Sequence, residues 1–282
     1  MKRNIIGTIG KTIAVIVSAA ALLSTGACGS ANASDDADTK NVIVGVSPIY
    51  AELANTIKNQ FDKQNKAEGK TLTVKVFDDF VTPNMAVEEG SININFFQHG
   101  VYLKEYNKKH GNKLKAYDPN GLFRYYMGIY SKDLTSLKQL KDGDTVLIPN
   151  DASNRGRALK TLAANGLLEL KDGVAIPGIL DIESNPKNLK LTETDTLKEV
   201  KSLGDAQAAV VNAISMAQGG YEPTKNLGVE DKAESAKYSL VVAYKDGSGN
   251  DKNAKLFTKA VETDAVKKEM AKEFKGAVVP LW

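Results

Sequence analysis

Asp144-Thr-Val-Leu-Ile-Pro-Asn-Asp-Ala-Ser-Asn-Arg-Gly-Arg157 is a short apolar strand running through a loop into a helix that continues to Ala164. Asp151 and Ser153 are both available to cap that helix. The same alternation extends on either side. Upstream, Asn41–Val46 is an apolar run, and Leu53, Ile57 and Phe61 fall at helical spacing between Tyr50 and Phe61. Thr71–Phe77 alternates as a strand, and Thr82-Pro83 supplies an N-cap with proline at the first helical position, opening a short helix through Glu89. Ser91–Phe97 reads as a strand, Val101–Lys109 as a helix and Lys113–Tyr117 as another strand. Downstream, Leu189–Thr192 and Gln207–Val211 are further strands. Strands alternating with helices predict an α/β fold of parallel sheets covered by helices.

Two extended segments, Leu122–Tyr130 and Tyr238–Tyr244, are aromatic and β-branched and read as strands crossing between two blocks. The tail from Asp251 to Phe274 is helical by pattern and is expected to pack on the first block. The expected organisation is a first lobe over residues 41–129, a second over 130–237, and a return to the first over 238–282. A cleft between two α/β lobes is where such folds bind small molecules.

The N-terminus carries Lys2, Arg3 and Lys11, then the apolar stretch Thr12–Leu23. That length suits a signal peptide and falls short of the ~20 residues that span a bilayer. It ends in Leu23-Ser-Thr-Gly-Ala-Cys28-Gly29, which resembles a bacterial lipobox with Thr25 where leucine is usual. The resemblance implies a signal peptide over 1–27 and lipidation of Cys28; an incidental thiol is the other reading of this single cysteine. Residues 28–40 are small and polar and form the expected flexible tether. Two or more acyl chains would anchor the protein in the bilayer, on the extracytoplasmic face of the cell membrane or the periplasmic side of a Gram-negative envelope.

Removing the three basic residues of the leader from a total of 37 leaves 34, against 34 acidic residues. No clustered basic excess points to nucleic acid. A mature chain starting at Cys28 has no other cysteine for a disulfide or a thiolate metal site. Nucleophile elbows, zinc-protease motifs and phosphate loops are absent from the sequence, so neither an enzyme nor a metal or cofactor is expected.

Arginine is rare. Beyond Arg3 the chain has Arg124, Arg155 and Arg157, while lysine supplies the remaining 33 positive charges. Two arginines within three residues, at a helix start with its partial positive charge, could hold a carboxylate. Arg157 in the first turn would receive it bidentately, with Asn154 adding a donor. An ordinary capped helix with solvated arginines fits equally well. Phe96-Phe97-Gln98-His99-Gly100-Val101-Tyr102 ends a strand and opens a helix, which suits an aromatic pocket wall with one polar contact. A structural histidine is the alternative for His99. His110, at a helix end, favours the C-terminal dipole.

The segments Val76-Phe-Asp-Asp-Phe-Val-Thr-Pro-Asn84, Asn95–His99, Tyr130-Ser-Lys132, Pro149-Asn-Asp151, Asn154-Arg-Gly-Arg157 and Asn185–Leu189, in this order, resemble the NlpA/MetQ family of methionine-binding lipoproteins. The similarity runs from about Val42 to Trp282. It implies a periplasmic-binding-protein fold, type II-like, with two α/β lobes joined by two crossing strands and closing over a free amino acid. It also implies a ligand carboxylate on Arg157, a wall of Phe97, His99 and Tyr102, and a contact from Asn212. Three positions depart from the family pattern: Phe80 where a tyrosine is expected, Ser239 where an asparagine is expected, and Arg124–Met127 in place of Tyr-Pro. These departures bear on the choice of ligand more than on the fold. The expected function is a monomeric solute-binding lipoprotein that delivers a free amino acid, L-methionine by resemblance, to an ABC permease and its ATPase. A methionine derivative, another amino acid or a short peptide is an alternative ligand, and a surface adhesion lipoprotein an alternative role.

Overall fold

The computed structural model describes residues Thr39–Trp282. The leader, Cys28 and all of the tether except Thr39 and Lys40 lie outside the described residues.

The chain begins with β1 (Asn41–Val46), α1 (Ala51–Gln64), β2 (Thr71–Val76), α2 (Thr82–Glu88), β3 (Ile94–Asn95), α3 (Gly100–His110) and β4 (Leu114–Ala116). It continues through β5 (Phe123–Tyr125), β6 (Met127–Tyr130), β7 (Thr145–Pro149), α4 (Ala152–Ala164), the short β8 (Glu169–Leu170) and β9 (Ile182–Ser184), and β10 (Lys190–Thr194). Then come β11 (Ala208–Asn212), α5 (Ala213–Gln218), β12 (Gly228–Val229), α6 (Lys232–Ser235), β13 (Ser239–Leu240), β14 (Ala243–Lys245), α7 (Asp251–Val261), α8 (Asp264–Glu273) and β15 (Val278–Pro280).

The strands make two five-stranded sheets, ordered β2-β1-β3-β14-β4 and β10-β7-β11-β6-β12. The leading strands of each are parallel, as the alternation predicts, but both sheets are mixed. β14 runs antiparallel to β3 and β4, and β6 antiparallel to β11 and β12. The reversals come from the crossing segments, which join each sheet from the opposite direction.

Both faces of each sheet are covered. Val42, Val44 and Val46 of β1 pack under α1, α7 and α8 with Tyr50, Phe96, Phe123, Phe257 and Phe274, while α2 and α3 cover the other face around Ile92 and Leu103. In the second sheet, Val146, Ile148 and Val210 pack against Leu159 and Leu162 of α4, and Leu147, Ala209 and Val211 face the opposite layer. Near-continuous burial along β1, β7 and β11 is what a sheet covered on both faces requires.

Each segment expected as one crossing strand is divided between two sheets. β5, β13 and β15 form a separate three-stranded antiparallel sheet, with Ser239 opposite Arg124 and Val279 also paired to Arg124. The chain leaves it at Tyr126 and enters the second five-stranded sheet as β6. On the way back it passes through β13 and then, after Val241-Val242, through β14 of the first sheet. Gly121 opens β5 at φ +75°, where a Cβ would lie 2.5 Å from that of Ser239. The helical tail is two helices, α7 and α8, rather than one.

α5 meets α8 through Gln218, whose amide donates to Oε1 of Glu273 at 2.5 Å. Burial, together with Glu52 and Glu269, raises the Glu273 carboxyl to about 7 against the opposing effects of Gln218 and Lys272. A carboxyl raised on folding contributes stability that is fully present below its unfolded value of about 4.5 and is lost as pH climbs toward 7. Glu273→Gln should therefore gain stability relative to the parent between pH 5 and pH 8, measured as the difference in thermal midpoints. A constant difference across that range would contradict the assignment.

Candidate functional site

A small cavity lies between the two five-stranded sheets. Its wall is built where strands end. Phe80 follows β2, Phe97 and His99 follow β3, Asn154 lies just beyond β7, and Asn212 is the last residue of β11. Loops at the C-terminal edges of parallel strands converge on such crevices. Six of the eight residues expected at the site, Phe80, Phe97, His99, Tyr102, Asn154 and Asn212, line this cavity. Arg157 and Ser239 do not. Ser239 is buried in the three-stranded sheet, and Arg157 lies beside Tyr125, itself a lining residue.

Phe80, Phe97 and Tyr102 form a triangle of rings with centroids 5.7–6.0 Å apart. The Tyr102 hydroxyl donates to the carbonyl of Phe80 at 2.8 Å, which ties the β2–α2 loop to α3. The loop is also held by Asp79, whose carboxylate accepts the N–H groups of Val81 and Thr82. No side chain caps α2, so the expected Thr82 cap is replaced by this turn.

The Asn95–His99 stretch is held from below by three buried amides. Asn84 Nδ2 donates to Gln98 Oε1 at 3.0 Å, Asn95 Nδ2 donates to Asn84 Oδ1 at 2.8 Å, and Gln98 Nε2 donates to both Asn84 Oδ1 and Asn95 Oδ1. A buried network of this kind is stable when its members satisfy one another. It fixes the backbone that presents Phe97 and His99, and it accounts for Asn84, Asn95 and Gln98 recurring in the motifs.

His99 caps α3. Its Nδ1 accepts the N–H of Tyr102 at 3.0 Å, so the proton sits on Nε2, which donates to Asn154 Oδ1 at 3.1 Å. Asn154 in turn donates from Nδ2 to Asp151, the N-cap of α4. The polar contact expected of His99 is therefore a bond across the cleft from α3 to α4, and the ring contributes only its surface to the cavity. Burial, and then the nearby Arg157 charge, lower the imidazole to about 4.

Arg157 lies in the second turn of α4, not the first, and is fully buried. Its bidentate fork is already occupied. Nε donates to Glu230 Oε2 at 2.8 Å, Nη2 to Glu230 Oε1 at 2.5 Å, and Nη2 also to the Tyr125 carbonyl at 2.7 Å. The guanidinium lies over the Tyr238 ring at 4.2 Å, and Tyr238 meets His99 edge-to-face at 5.0 Å. Nη1 is buried without a partner, as is Asn212 Oδ1. Gly156 lets α4 approach the following loop, since a Cβ there would meet Ile176 at 2.9 Å. Arg155 points elsewhere, to Glu193. His110, read as a dipole partner, stacks on Tyr106 at 4.2 Å.

Tyr125, Tyr238 and Glu230 were not singled out in the sequence. The two tyrosines fall in the crossing segments whose aromatic content is visible there. Glu230 sits in the charged run Glu230-Asp-Lys232 and carries no local signal. Among the described residues no helix is long and apolar enough to cross a membrane.

The imidazole of His99 should titrate with a midpoint near 4 rather than near its unfolded value of about 6.5. A lowered histidine contributes stability present above the unfolded value and lost as pH falls toward 4. Its ring proton shifts, followed by NMR from pH 8 to 3.5, check this; a midpoint between 6 and 7 would contradict the closed hydrogen-bond chain.

Comparison with known proteins follows the same outline. The family described as NlpA lipoprotein matches residues 42–282. The D-methionine-binding lipoprotein MetQ of Escherichia coli (strain K12) is 37% identical over 276 residues, covering 96% of this chain and 98% of that protein. A nutrient binding protein from Burkholderia cenocepacia bound to methionine has a TM-score of 0.78 at 31% identity, over 86% of this chain and 100% of that one. An ABC transporter periplasmic substrate-binding protein from Coxiella burnetii has a TM-score of 0.77 at 33% identity, over 85% and 99%.

Proposed function

The chain belongs to the NlpA lipoprotein family, with the type II-like periplasmic-binding-protein fold, and from that premise we propose that it is the solute receptor of an ABC importer, binding free L-methionine. The observation that carries the ligand is the pairing of a wall of three aromatic rings with two orphan polar atoms. A thioether makes favourable contacts with aromatic edges, so Phe80, Phe97 and Tyr102 suit a methionine side chain. Arg157 Nη1, a donor without an acceptor, would take the ligand carboxylate through one nitrogen. Asn212 Oδ1, an acceptor without a donor, would take the ammonium. A buried polar atom left unpaired is costly, and a zwitterion supplies both partners.

Phe80 has no hydroxyl to offer, and its ring packs on Phe97 and Tyr102, so the substitution keeps the apolar wall closed. Ser239 stands away from the cavity and bears on the hinge rather than on the ligand. In this reading the sheets are lobes that close on the ligand, with the His99–Asn154 bond as one contact of the closed form. Cys28, acylated, would hold the receptor to the outer side of the membrane beside its permease.

A ligand at about a thousand times its dissociation constant stabilises the native state by about 4 kcal/mol. L-Methionine should therefore raise the melting temperature of ligand-stripped protein clearly, and other amino acids less. Asn212→Ala should weaken methionine by roughly tenfold or more, the value of a hydrogen bond to a charged group. Isothermal titration checks this; unchanged affinity would remove Asn212 from the site, and no binding of methionine by the parent would sink the reading.

A further inference from the structure

Glu230 is nearly inaccessible, and both carboxylate oxygens are in use. Besides the two bonds from Arg157, Oε1 accepts the N–H of Met127 at 2.9 Å. Its own backbone N–H donates to the Met127 carbonyl at 3.0 Å. Glu230 thus joins the start of β6, on the outgoing crossing, to the segment after β12 on which it sits, and fastens α4 to both.

The five N–H groups of Arg157 divide accordingly. Nε–H and one Nη2–H go to Glu230, the other Nη2–H goes to the Tyr125 carbonyl, and both Nη1–H groups have no partner. With Tyr238 and Tyr125 against the guanidinium, the edge left without a partner is Nη1. The pair as a whole is neutral, so Glu230 offsets the guanidinium charge.

We propose that Glu230 is a positioning residue that turns Nη1 of Arg157 toward the ligand and, by cancelling its charge, makes the cleft select a zwitterionic amino acid over a plain carboxylate anion. This rests on the reading of the cavity as an amino-acid site. An uncompensated guanidinium would attract any carboxylate. With Glu230 in place, an anion gains one hydrogen-bond edge but no net opposite charge, and it leaves Asn212 Oδ1 unpaired. A glutamine cannot replace the carboxylate. Its single acceptor oxygen faces three N–H donors, from Nε, Nη2 and Met127, and its own NH2 would be turned toward donors.

The test compares L-methionine with 4-(methylthio)butanoate, the same chain without the ammonium group, by isothermal titration on the parent, Glu230→Gln and Glu230→Asp, with folding checked by circular dichroism. The parent should prefer methionine by roughly tenfold or more. Glu230→Gln should lose most of that preference, methionine weakening more than the anion. Glu230→Asp, which keeps the charge, should weaken both ligands and retain the preference. A purely structural role would weaken both ligands in parallel in both variants, and that result overturns the proposal. So does a parent that binds the anion as well as methionine, or a Glu230→Asp protein that loses the preference. If Glu230→Gln does not fold, a parent that binds the anion as well as methionine, or a Glu230→Asp protein that loses the preference, still overturns the proposal. A parent that binds neither compound overturns the functional reading as well; one that binds methionine while Glu230→Gln keeps the parent's preference overturns this inference alone.

Discussion

The buried pair of Arg157 and Glu230 is the constraint around which the cleft is arranged. Taking two opposite charges out of water costs several kcal/mol for each ion, and their attraction offsets this only when geometry and remaining hydrogen bonds are good. Here they are good: two bonds within the pair, one from Met127, one to the Tyr125 carbonyl and a stacked Tyr238. The pair connects three pieces of chain: α4, the outgoing crossing at Tyr125 and Met127, and the segment after β12. It does so where the chain changes sheets, at Tyr126.

Different physics governs the facing wall. The first half holds its aromatic residues with neutral groups, through the amide cluster of Asn84, Asn95 and Gln98 and the Tyr102–Phe80 bond. Neutral amides bury at lower cost than charges and set side-chain directions without adding a field. The His99–Asn154–Asp151 chain then links the wall to the helix that carries Arg157. Lowering the imidazole to about 4 keeps it neutral, which avoids placing a second positive charge beside the guanidinium. The resulting cavity is apolar on one side; Asn212, which lines it, and Arg157, beside the lining residue Tyr125, each keep a buried polar atom without a partner.

Much of this was legible in the sequence for a physical reason: strand and helix periods are local. β1, β7 and β11 and helices α1, α3 and α4 fall close to where the apolar spacing puts them, and the strand-to-loop positions of Phe97, His99 and Asn154 follow. The divided crossings were not legible. Nothing at Tyr126 or at Val241-Val242 breaks an extended run, and the change of sheet is decided by partners far away in the chain. The chemistry of individual groups was less legible still. Arg157 has the fork that suits a ligand carboxylate, but that fork is filled by a glutamate 73 residues further on, in a stretch with several equivalent acids. The histidine has two nitrogens to offer, and both are consumed by the α3 cap and the contact across the cleft. In each case the residue expected to meet the ligand holds its neighbours in place instead.

The central claim is that this cleft holds the ligand side chain on the aromatic wall and its carboxylate on the free edge of Arg157. The direct measurement is a crystal structure with L-selenomethionine as ligand, bound to protein containing ordinary methionine, using the selenium anomalous signal. The account predicts one strong ligand peak among Phe80, Phe97 and Tyr102, with the carboxylate within hydrogen-bond distance of Arg157 Nη1 and the ammonium at Asn212 Oδ1. A peak outside this cavity, or a carboxylate held elsewhere while Nη1 stays unpartnered, would contradict it.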